Sequence, residues 1–232
     1  MKKISPTQNH YALRITNCAL LFVLFVAELS FSYLPKVLHE ILGVALAVAI
    51  IWHVAINRRL LMSSLKKLTP RKIFISTLNL SLIICAVIIL VTGVCLSNYL
   101  FTDIVSFGIR RNVMIYQLHI AMPYVMLILL GVHIGLDWRE FFNRVLQLIG
   151  AREFYQRRKI FFQAVAIILS IVGVVGLYMN RVGDRILMKH IFATPATELN
   201  AALFALLIIG DVALFATITF LLEEKIFRRG RD

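Results

Sequence analysis

The chain has 232 residues, 60% of them hydrophobic, and a mean hydropathy of +0.84. Soluble domains are closer to half apolar, so the composition excludes an ordinary soluble protein and indicates an all-α, polytopic membrane protein. The formal net charge of +13 does not point to nucleic acid. The cations sit in loops between apolar runs, the positive-inside pattern of a chain embedded in a lipid bilayer.

Six apolar runs are long enough to cross a bilayer as helices: 13–34, 38–57, 73–98, 113–136, 160–179 and 201–222. The first follows Lys2 and Lys3, but it is long for a signal-peptide core and no small-x-small cleavage site follows it, so it is expected to be retained. Cys18, Cys85 and Cys95 fall inside apolar runs and form no CxxC or CxxCH. That pattern argues against a disulfide, an iron–sulfur cluster or covalently attached haem. The loop after the second run holds Arg58, Arg59, Lys66, Lys67, Arg71 and Lys72 and no acid. The loop after the fourth holds Arg139, Arg144, Arg152, Arg157, Arg158 and Lys159 against Asp137, Glu140 and Glu153, and the tail adds Lys225, Arg228, Arg229 and Arg231. The opposite loops are thinner, with Lys36, then Arg110 and Arg111, then Arg181, Arg185 and Lys189. This bias places both termini in the cytoplasm.

Between the fourth and fifth runs, residues 138–149 read WREFFNRVLQLI. Apolar residues recur there at helical spacing, which predicts a helix lying in the cytoplasmic interface. The expected organisation is therefore a four-helix core over 1–138, an interfacial linker helix over 139–159 and an additional transmembrane hairpin over 160–232.

The second run carries His39 and His53, fourteen residues apart, and the fourth carries His119 and His133 at the same spacing. Fourteen steps fall about 40° short of four full turns and rise about 21 Å. Each helix thus presents two imidazoles on nearly one face, one near each side of the hydrocarbon. The loop charges make both helices run outside to inside, so His39 pairs in depth with His119, and His53 with His133. Polar side chains are costly at such depth and face the bundle interior. Two facing helices with one histidine each per level meet the need of a b-type haem for two axial imidazoles, and meet it twice. With both axial positions filled, such haems move electrons rather than bind oxygen or substrate.

Gly43 would leave room for a flat macrocycle, and Gly131 and Gly135 flank His133, although Gly43 and Gly131 equally suit helix–helix packing. Pro123, four residues after His119, leaves that residue's carbonyl without its helical partner and is expected to kink the helix. Arg110 and Arg111 precede His119 by about two turns and are candidates for the propionates of the outer haem, with Arg58 and Arg59 standing similarly inside. Glu28, near the outer end of the first run, either takes protons at an outer quinol pocket or bonds a ligand histidine or the interface. Asp211, mid-way along the sixth run, is protonated, paired, functional or in contact with a partner subunit. His10 and His190 lie outside the spans and read as surface histidines. A zinc site fits poorly, because each level offers only two ligands.

The residues H-E-x-x-G (His39, Glu40, Gly43), H-x-x-x-N-R (His53, Asn57, Arg58), Thr69-Pro70-Arg71, Ser97 with Tyr99, and the group His119, His133, Gly135, Leu136, Trp138 form a pattern over about residues 10–138. This pattern resembles a bacterial four-histidine membrane family catalogued as a domain of unknown function, with cytochrome b561-like and ferric-reductase-like relatives. The resemblance implies two b-type haems in a bacterial inner membrane. It also implies a role near the quinone pool or near flavin-carrying extracytoplasmic redox partners. Members often carry a histidine where this chain has Asp137, and residues 139–232 lie beyond the resemblance.

The expectation is a di-haem cytochrome that passes electrons across or within the membrane. Its rivals are a non-redox transporter with proton-coupled histidines and an assembly subunit with structural haems. No GxGxxG occurs, so this chain alone is not expected to take hydride from a nicotinamide.

Overall fold

The computed structural model describes residues 6–64, 69–189, 198–223 and 225, with side chains from residue 11 onward except Ser64. Lys66, Lys67, His190, Arg228, Arg229 and Arg231 lie outside the described residues, as does the side chain of His10. Helices and loops make up these residues, and no strand occurs among them. In chain order the helices are α1 (Pro6–Leu29), α2 (Lys36–Ser64), α3 (Pro70–Leu96), α4 (Phe107–Arg110), α5 (Val113–Leu148), α6 (Arg152–Arg157), α7 (Lys159–Met179), α8 (Val182–Ile186) and α9 (Ala201–Glu223). Six of them, α1, α2, α3, α5, α7 and α9, are long and apolar enough to cross a bilayer. The chain is a multi-pass all-α membrane protein.

Local chemistry sets the ends. Ser30 closes α1 by donating its hydroxyl to Val26 O at 2.8 Å. A single 3-10 turn (Phe31–Tyr33) then leads to Leu34, which is extended because Pro35 follows it. Thr69 caps α3, accepting from Lys72 N, and Pro70 fills the first helical position. Asn112 caps α5, accepting from Met114 N at 2.9 Å and Ile115 N at 3.2 Å. Gly150 ends that helix with φ +66°, a conformation that suits glycine.

α5 differs from expectation. Residues 138–148 are helical, but they continue α5 instead of forming a separate interfacial helix. Thirty-six residues rise about 54 Å, well beyond a hydrocarbon layer of about 30 Å. The aromatic residues that suggested an interfacial helix bind the chain to itself. Trp138 stacks on Phe142 at 5.4 Å, and Phe142 and Phe162 both pack on Tyr155, at 4.9 and 5.3 Å. Pro123 lies within α5 and does not interrupt it.

Helices adjacent in the bundle are α1 with α2, α2 with α3, α3 with α5, α5 with α9 and α9 with α7. α2 packs on α1 and α3 and stands across the bundle from α5. The main apolar core joins Phe25, Val26 and Leu29 of α1 to Tyr124 and Leu127 of α5, Val182 of α8, and Phe204, Ile208 and Val212 of α9. A smaller cluster, Leu24 with Leu46 and Ala49, ties α2 to α1. The α7–α9 hairpin is thus built into the same core as α1 and α5. Its two helices touch backbone to backbone, since a Cβ on Gly173 would collide with Gly210 O.

Candidate functional site

Four histidines of α2 and α5 line the space between those helices. At one level the rings of His39 and His119 lie 6.2 Å apart, centroid to centroid, with their planes at 76°. At the other level His53 and His133 are electrostatic neighbours. The pairing expected from spacing and helix direction is the one the fold brings together.

Three of the four rings are met from behind by a residue of another helix. His53 Nδ1 lies 3.0 Å from Asn17 Oδ1. Asn17 Nδ2 donates to Ala49 O at 3.3 Å, so its carbonyl oxygen faces the imidazole and His53 Nδ1 is the donor. His119 Nδ1 lies 3.2 Å from Ile89 O and 3.1 Å from Thr92 Oγ1. A carbonyl only accepts, and Thr92 spends its hydroxyl proton on Ile88 O at 2.6 Å. His119 Nδ1 therefore also donates. In both rings Nε2 keeps its lone pair, the form that ligates metals. His39 Nδ1 lies 2.9 Å from Glu28 Oε2, at ion-pair distance but off hydrogen-bond alignment. The carboxylate stands where the other two rings have an amide and a carbonyl. His133 has Asp137, one turn along α5, as its charged neighbour.

Glycines divide into two uses. A Cβ on Gly93 of α3 would come within 3.1 Å of His119 Cε1, so this glycine makes room for the ring. A Cβ on Gly43 would meet only Glu28 Oε2, at 3.7 Å, an ordinary contact. Gly131 and Gly135 belong to helix packing: their Cβ atoms would strike Phe215 Cβ at 2.6 Å and Ala216 O at 2.5 Å on α9. Beside the histidine stripe, between its two levels, an apolar groove of about 320 Å³ runs between α3 (Ile84, Cys85, Ile88) and α5 (Met122, Val125, Leu129).

The arginines named as propionate candidates have the following partners within the protein. Arg110 Nη2 donates to Thr102 O at 2.9 Å and Val105 O at 3.0 Å, folding the α3–α5 loop. Arg111 stacks on Phe107 at 4.2 Å, and Arg58 and Arg59 are exposed. Arg14 of α1 lies deeper. Its Nη2 donates to Ile56 O at 3.1 Å, its Nε is buried without a partner, and it is an electrostatic neighbour of His53.

Glu40, beside His39 in sequence, ties α2 to the end of α3. It accepts from Ser97 Oγ at 2.7 Å and from the backbone N–H groups of Asn98, Tyr99 and Leu100 at 2.8, 3.2 and 2.8 Å. Asn57 Nδ2 donates to His53 O at 2.9 Å. Asp211 is fully buried in α9, in the space left by Gly176. Its carboxyl faces the side-chain amide of Asn180, close enough to interact but outside full hydrogen-bond alignment.

Asn17, Thr92, Gly93 and Arg14 belong to no motif. For Arg14, Asn17 and Thr92 the available signal is a polar side chain within an apolar run. Among the described residues no group of three or more His, Cys, Asp or Glu side chains gathers to hold a metal ion. What the site offers is two imidazoles per level, which suits a metal that brings its remaining ligands with it. The chain matches no protein-family model, no curated protein and no solved structure.

Proposed function

We propose that this protein is a di-haem b-type cytochrome of the bacterial inner membrane. His39 and His119 hold the outer haem, and His53 and His133 the cytoplasmic one. The observation that carries this reading is the His39–His119 pair. A metal with bonds of ~2 Å to each of two opposed imidazoles holds their centroids about 6 Å apart, and these rings stand 6.2 Å apart between helices on opposite sides of the bundle. The donating Nδ1 atoms of His53 and His119 leave Nε2 free to ligate. The resemblance of residues 10–138 to four-histidine membrane cytochromes supports the same assignment.

When bound, the two haems supply one-electron transfer along the membrane normal, to or from a quinone or an extracytoplasmic, flavin-carrying redox partner. This chain's residues do the holding. Asn17 and Thr92 fix the ring orientation, Gly93 and Gly43 leave space, and apolar side chains between the levels keep water out. The loop cations orient the His53 level toward the cytoplasm.

Purified full-length protein should show a reduced α-band and two haems per chain. His39→Ala should remove one haem and spare the other; equal loss of both would contradict the pairing. One observation favours a second reading. Asp211 is a fully buried carboxyl group facing only the Asn180 amide, of the kind that proton-coupled transporters use. Haem-free protein that moves protons would favour that reading.

A further inference from the structure

We infer that Arg14 receives a carboxylate of the group bound at the His53–His133 level, namely a propionate of the cytoplasmic haem. This rests on the di-haem reading and adds a residue to its inner site. Arg14 and Asn17 lie one turn apart on α1 and face the same stretch of α2. Asn17 holds the His53 ring, and Arg14 reaches Ile56 O, one turn beyond it toward the cytoplasm. That is the side on which the polar edge of an inner haem would lie. The guanidinium is only partly used: Nη2 is bonded, while Nε is buried with no partner. A buried unpaired N–H of a permanent cation is unfavourable, and a carboxylate satisfies it with a charge-assisted bond. The exposed Arg58 and Arg59 lack this enclosure. A lipid phosphate is the other anion of suitable chemistry, but burial of Nε keeps it from the bilayer surface.

The test is a redox titration of Arg14→Gln in full-length protein, with haem counted per chain. Removing the cation leaves the propionate charge uncompensated near the iron, and both changes favour the ferric form. The midpoint of one haem should fall while the other holds, and Arg14→Lys should restore most of the shift. In a His39→Ala background, where only the cytoplasmic haem remains, the same fall should appear in that single haem. Unchanged midpoints with both haems bound, or an equal fall in both, would overturn the inference. So would a shift seen in nanodiscs of anionic lipid and absent in neutral lipid, which would assign the guanidinium to a lipid phosphate. Should Arg14→Gln fail to fold, Arg14→Met in the single-haem background decides: a lowered midpoint is expected, and an unaltered midpoint with wild-type haem retention would overturn the inference. Wild-type protein without haem would instead defeat the function proposed above.

Discussion

The histidine bundle and the α7–α9 hairpin solve opposite problems with the same small residues. In the hairpin, and where it meets α5, glycines bring backbones together: Gly173 against Gly210, and Gly131 and Gly135 against α9. In the bundle, Gly93 keeps a side chain away from an imidazole, and α2 and α5 remain across the bundle from each other. The hairpin is held by close packing, and the bundle by polar bonds around a space. A region built for stability fills its volume. A region built to hold something else positions groups around the volume it leaves.

If that contrast is right, substitutions should sort by region. The largest effect is expected from His119→Ala, which should remove one haem completely while the protein remains helical and membrane-bound; haem quantification and circular dichroism check this. Gly93→Val should follow. Its new Cβ, 3.1 Å from His119 Cε1 before any branch is added, should displace the ring and weaken haem retention about 10- to 100-fold at that level. Gly131→Val is the paired control. It should lower thermal stability by about 1–3 kcal/mol through overpacking against α9, with haem stoichiometry unchanged in the folded fraction. Asn17→Leu removes the acceptor of His53 Nδ1 and should weaken retention of the other haem about tenfold. The smallest effect is expected from Glu40→Gln, which should destabilise by about 1–3 kcal/mol in thermal melts and leave both haems bound, since Glu40 ties a loop and no ring.

The sequence made the frame legible because bilayer thickness imposes it: six apolar runs became six long helices, and equal histidine spacing brought His39 to His119 and His53 within electrostatic reach of His133. Thr69–Pro70 and Asn112 mark helix starts by local capping chemistry that needs no tertiary context. Roles that depend on a second helix were not legible. Gly131 and Gly93 both lie near a histidine, by sequence or in space, and only the neighbouring helix decides which serves packing and which serves the ring. Glu40 and Ser97 stand far apart in the chain, yet the carboxylate of one gathers the hydroxyl and following amides of the other's loop. Residues 138–148 carry an interfacial pattern, but the stretch extends α5, with Phe142 packing on Tyr155 of α6 and Phe162 of α7.

If the two imidazole pairs each hold one haem iron, a reduced-minus-oxidised absorbance spectrum of the purified full-length protein, with haem counted per chain, will show two b-type haems, falling to one in His39→Ala. Folded, helical protein that carries no haem when produced with haem in excess would contradict it.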